Sequence, residues 1–120
     1  MKKLFSALMS LSLLAGVAAM PAAAAETYSL GDVDMNGVVD TVDVMCALEN
    51  YVSTNLMFNG DVLTDAQKAL ADINEDAVID TVDAACILIY YVYTLSEDEP
   101  MSFADYRADG RLPVFVYITK

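Results

Sequence analysis

The sequence predicts a small, mainly α-helical domain of three helices, built by internal duplication. Three observations carry that prediction. A twelve-residue pattern of oxygen-bearing side chains occurs twice, beginning at Asp32 and again at Asp72. Each copy runs directly into an apolar segment with helical spacing. Between them, Thr64-Asp65-Ala66-Gln67 has the form of a capping box that opens a third, shorter helix.

Taken in order, residues 1–25 read as a secretory signal peptide. Lys2 and Lys3 supply the basic start, Leu4 to Met20 the apolar stretch, and the run of alanines ending at Ala25 the small-residue cleavage site. A membrane anchor fits less well, because Pro21 and small residues follow the apolar run where flanking charge is expected. Residues 26–30 are a spacer. Residues 31–53 form repeat one, a loop followed by a helix from Asp43 towards Ser53. Asn59-Gly60-Asp61 marks a turn. The linker helix covers 64–71. Repeat two spans 71–95, again loop then helix, and Ser96 to Pro100 is a polar stop. Residues 96–120 form a tail unlike either repeat, flexible or folded as a hairpin. Its strand-like part is Arg111 to Ile118, turned by Asp109-Gly110 and weakened as a strand by Pro113.

Removing the signal segment takes two of six basic residues and none of the eighteen acids, which leaves a net charge of −14. Such a balance argues against nucleic acid and anionic membrane surfaces as partners. Outside the leader, no apolar run is long enough to span a bilayer. A core this small is marginal by itself and calls for a metal, a disulfide or a partner.

The duplicated pattern supplies the metal. Oxygen side chains at positions 1, 3, 5, 9 and 12 let one short loop wrap a hard cation. In loop one the ligands are Asp32, Asp34, Asn36 and Asp43, the Val38 carbonyl, and Asp40 directly or through water. In loop two they are Asp72, Asn74, Asp76 and Asp83, the Val78 carbonyl, and Asp80. Val39 and Ile79 follow, where paired loops place an apolar residue inward. With no histidine and two lone cysteines, zinc has no site. An all-oxygen cage favours calcium over magnesium, so two calcium ions are expected. The loops differ at position 6. Gly37 adopts a left-handed backbone freely, whereas Ala77 pays about 1–2 kcal/mol there. Loop two should therefore bind more weakly.

These residues resemble a type I dockerin, the module that plugs enzymes into cellulosome scaffolds by binding cohesin domains. The resemblance covers roughly residues 31–95. It rests on Gly31-Asp32-Val33, on Asp rather than Glu at position 12, on the missing helix before loop one, and on the linker helix closing on Ala71-Asp72-Ile73-Asn74. It implies a three-helix fold with two EF-hand-like calcium loops, two antiparallel loop-following helices, two calcium ions, and a cohesin domain of a scaffoldin as partner. Ala77 and the tail depart from the pattern. The family's usual companion, a catalytic or carbohydrate-binding domain, is not in this sequence.

On a helical wheel, Val44, Ala47, Leu48 and Tyr51 face the core in repeat one, and Ala84, Ile87, Leu88 and Tyr91 in repeat two. The opposite stripe holds Val42, Cys46, Glu49 and Ser53, then Val82, Cys86, Ile89 and Tyr93. The resemblance adds Thr41 and Thr81 as cohesin contacts. Repeat two is apolar nearly all round, so either the tail covers it or the cohesin does. The second is preferred, with repeat two dominant in a surface that the repeated Thr-Val-Asp makes nearly two-fold. Cys46 and Cys86 diverge on the wheel, so free thiols facing a partner are expected rather than a bridge.

The leading reading is a secreted, non-catalytic, calcium-dependent adaptor of a polysaccharide-degrading complex. The alternatives are an extracellular calcium-binding protein without a cohesin, and a dockerin fragment of a glycoside hydrolase. Catalysis is not expected, because the paired carboxylates are used up by the loops.

Overall fold

The computed structural model describes residues 27–113 and 116. The signal segment lies outside them, as does half of the strand-like part of the tail. The described residues form a small all-helical domain, with no strand among them. Four α-helices follow one another: α1 (Thr41–Tyr51), α2 (Asp65–Ala71), α3 (Thr81–Ser96) and α4 (Phe103–Ala108). A π-helical turn, Val52–Leu56, extends α1.

Both long helices start two residues earlier than position 12 of their loops. The reason is local. Asp40, position 9 of loop one, is the N-cap of α1 and accepts from Val42 N at 2.8 Å. Asp43 at N3 reaches back to accept from Asp40 N at 2.7 Å. Asp80 and Asp83 repeat this at α3, at 2.9 and 3.0 Å. Each pair is a capping box made of two aspartates, so the last metal-ligand positions are also the first turn of a helix. Helix α2 opens on the expected box, with Thr64 and Gln67 exchanging bonds.

Helices α1 and α3 pack on one another, and the small residues Ala47 and Ala84, one on each, are buried in the shared core. The loops add their own apolar plugs. Val33 and Ile73 at position 2 are fully buried, Ile79 at position 8 is buried, and Val39 is half-buried against the same cluster. Asn50 fixes the connection out of repeat one. Its buried side chain accepts from Val62 N at 2.9 Å and Leu63 N at 3.1 Å, and donates to Asp61 at 3.2 Å.

The tail differs most from expectation. Residues 103–108 are helix, not hairpin. Phe103 stacks on Tyr90 with ring centroids 4.3 Å apart and planes 2° from parallel. Tyr106 packs on Tyr93 at 4.6 Å, and the Arg111 guanidinium lies 5.8 Å from the Tyr93 ring centre. Tyr90 Oη donates to the Met101 carbonyl at 2.9 Å. Phe103, Tyr106, Leu112 and Val116 are buried. The aromatic residues drive this, since one face of α3 exposes too much apolar area to stay uncovered.

Candidate metal centres

The two loops are near copies in three dimensions. In loop one, Asp32 accepts from Asn36 N at 3.1 Å and Gly37 N at 2.9 Å. In loop two, Asp72 accepts from Asp76 N at 3.1 Å and Ala77 N at 3.0 Å. The position-5 side chains, Asn36 and Asp76, accept from the amides of Val38 and Val78 at 2.8 and 2.9 Å. These short side-chain-to-backbone bonds curl each loop around its own carboxylates. Position 6 is left-handed in both, with φ of 92° at Gly37 and 67° at Ala77. Position 4 is left-handed as well, at Met35 (59°) and Glu75 (60°). Loop two therefore carries two non-glycine residues in a region that costs about 1–2 kcal/mol each, and loop one carries one.

The carboxylates converge. Asp32, Asp34 and Asp43 each bring an oxygen into a group whose members all lie within 4.8 Å of one another, and so do Asp72, Asp76 and Asp83. Position 12 is buried in both loops, with Asp43 and Asp83 wholly inaccessible. Burial pushes the Asp43 carboxyl above its ordinary range. The same desolvation, partly offset by backbone bonds from Asp80 and Ile73, pushes Asp83 up to about 7. Buried, clustered, like-charged oxygens are unfavourable unless a cation joins them. Hard oxygen donors on a flexible loop suit calcium. The two carboxylate clusters suit two such ions, while Asp40 and Asp80, expected as further ligands, are engaged as helix N-caps.

Two side chains reach the loops from outside. Gln67 on α2 donates from Nε2 to the Val33 carbonyl at 3.1 Å. Arg107 on α4 donates from Nη1 to the Ile73 carbonyl at 3.0 Å and pairs with Glu75 at 2.9 Å. Arg107 was not among the residues the loop pattern nominates, because the motif ends long before it.

The expected partner stripe divides. Thr41, Val42, Glu49 and Thr81 are exposed, and Cys46, Val82, Ile89 and Tyr93 are half-buried. Cys86 is fully buried in the core and cannot touch a partner. Ser53 is also buried, with its hydroxyl donating to the Gly60 carbonyl at 2.7 Å. Tyr93 is occupied by Tyr106 and Arg111. Conversely Leu48 and Leu88, expected in the core, are 37% and 42% exposed. The buried side runs through Asp43, Ala47 and Asn50 on α1 and through Asp83, Ala84, Cys86, Ile87 and Tyr90 on α3, which leaves a different face open. That face carries Met45, Leu48 and Val52 on α1, and Leu88, Val92 and Leu95 on α3. On α1 it continues to Met57 and Val62 around an open apolar groove of about 560 Å³. Both cysteines are free. Burial raises both thiols, Cys86 up to about 12.

No helix among the described residues is long and apolar enough to cross a membrane. No curated protein matches the chain. The model of the dockerin type I domain matches residues 30–92, more than half of the sequence. The match takes in both carboxylate clusters and ends within α3, before the C-terminal helix. Its extent, together with the two aspartate-lined loops and the helices they cap, places this chain in the dockerin type I family.

Proposed function

We propose that this chain is a secreted, non-catalytic adaptor that binds a cohesin domain in a calcium-dependent manner and so joins a cellulosome-type assembly. The observation that carries the reading is the pair of buried carboxylate clusters, each fused to the first turn of a long helix. A calcium ion in each loop sets the direction of α1 and α3, and those helices present the surface a cohesin reads. Family membership supports the partner class.

The contact surface proposed here is revised by burial. Thr41, Val42 and Glu49 on α1 and Thr81 on α3 remain candidates, joined by Met45, Leu48, Val52, Leu88 and Val92. Val82 and Ile89 contribute their exposed edges. Cys46 sits at the margin. Repeat two need not dominate, because its aromatic stripe is engaged by α4. An exposed apolar strip of this kind on a strongly acidic chain suits a partner that supplies an apolar platform with a basic rim.

A calcium-dependent pull-down of the full chain against a panel of cohesins, with a chelator control, tests the reading. Capture by at least one cohesin, lost with chelator, is expected. Calcium binding without capture by any cohesin would move the assignment to an extracellular calcium-binding protein.

A further inference from the structure

The C-terminal helix sits in register with the duplication. Gln67 lies 34 residues after Val33, and Arg107 lies 34 residues after Ile73. Val33 and Ile73 are both position 2 of their loops. Each repeat thus consists of a loop, a long helix and a short helix, and one side chain of the short helix returns to the position-2 carbonyl of its own loop. Sequence comparison hides this. Thr64-Asp65-Ala66-Gln67 and Ala104-Asp105-Tyr106-Arg107 share one residue in four, and the family match ends before the second.

The bonded carbonyl has a defined consequence. A peptide unit is planar and trans, so its carbonyl and its N–H point in opposite directions. Holding the Val33 carbonyl on Gln67 aims the Asp34 N–H the other way, and it donates to Asp43 Oδ1 at 3.0 Å. In loop two Asp83 Oδ1 accepts first from Ile73 N at 2.8 Å, and holding the Ile73 carbonyl on Arg107 turns the next N–H, that of Asn74, towards the same oxygen at a longer 3.5 Å. Asp43 and Asp83 are the position-12 carboxylates. In loop one Gln67 therefore orients the position-12 oxygen through one peptide plane, and in loop two Arg107 holds the carbonyl of Ile73, the residue whose own N–H and the N–H that follows both point at Asp83 Oδ1. In loop two the same guanidinium also ties down Glu75, one of the two left-handed residues there. Glu75 neutralises its charge, so the arginine does not oppose a cation in the loop.

We propose that Arg107 is a positioning residue for the calcium site of loop two, and that α4 is the second repeat's counterpart of the linker helix. This rests on the calcium reading above. A residue outside the ligand set that orients a ligand typically changes metal affinity by about 10- to 100-fold when removed.

The test is a calcium titration of the full chain, followed by NMR at the amides of Gly37 and Ala77, one in each loop. Arg107→Met keeps the packed stem and removes the donors. It should weaken loop two about tenfold and leave loop one unchanged. Gln67→Met should do the reverse. Arg107→Gln, which installs the group loop one uses, should restore most of the loss. If Arg107→Met weakens both loops equally, or neither, the positioning role is overturned while the calcium reading stands. If the unaltered chain shows no calcium-dependent shift at either amide, the calcium reading itself falls and takes the proposal with it.

Discussion

Asp43 and Asp83 do three things at once, and that explains their burial. Each faces its carboxylate cluster, closes a capping box on its own helix, and accepts a backbone N–H from near the start of its loop. Their desolvation has a pH consequence. In the calcium-free protein the Asp83 carboxyl is raised from 3.8 to about 7, so the folded state holds a proton that the unfolded chain releases. Its contribution to stability is present in full below about pH 4 and is lost as pH rises towards 7. Calcium must displace that proton, so affinity at loop two should climb between pH 5 and 7 and then level; titrations across about that range check it. Ala77 gives a second expectation. Ala77→Gly should tighten calcium binding at loop two, by up to about 1 kcal/mol after the added freedom of glycine in the unfolded chain is subtracted. Calorimetry that finds no gain would show the φ of 67° to be relaxed by its surroundings. The thiols give a third. Cys86 should resist a thiol reagent in the folded protein, Cys46 should react slowly, and both should react at once in denaturant.

The helices were legible in the sequence to different degrees. Duplicated aspartates, apolar periodicity and the Thr64–Gln67 box locate α1, α2 and α3, because those signals are local. The starts of α1 and α3 were missed by two residues. Asp40-x-x-Asp43 and Asp80-x-x-Asp83 are capping patterns hidden inside a metal pattern, so one set of residues answers to two readings. Helix α4 was not legible. Ser102 does cap it, accepting from Asp105 N at 3.2 Å, but the segment is short and its hold on the fold is tertiary. The aromatic residues of α3 call for a cover, and Phe103 and Tyr106 of the same chain supply it in place of a partner. Phe103 is the keystone of that contact. Besides stacking on Tyr90, it crowds Gly31, where an added Cβ would lie 2.5 Å from its ring, and Gly31 also has φ of 88°. Phe103→Ala should cost about 3–5 kcal/mol, read as a large fall in melting temperature. A fall within the range of a surface substitution would mean that α4 contributes little to the fold.

At the scale of the whole molecule, the two repeats make one core through α1 and α3, and each repeat is closed by a short helix. Half of the eighteen acids lie in the two loops where cations are expected to sit, so metal and fold are linked. A domain of this size gains much of its margin from such ligands. The proposed partner surface depends on the same arrangement, since the loops cap the helices on which it is placed. Which face of α3 stays open was decided by the tail, and no local pattern in the sequence announces that choice. Titrating calcium into the metal-free full chain by calorimetry should reveal two sites per chain, the weaker one lost in Asp83→Ala and the tighter one in Asp43→Ala. A single site, or none, would contradict the two-calcium reading.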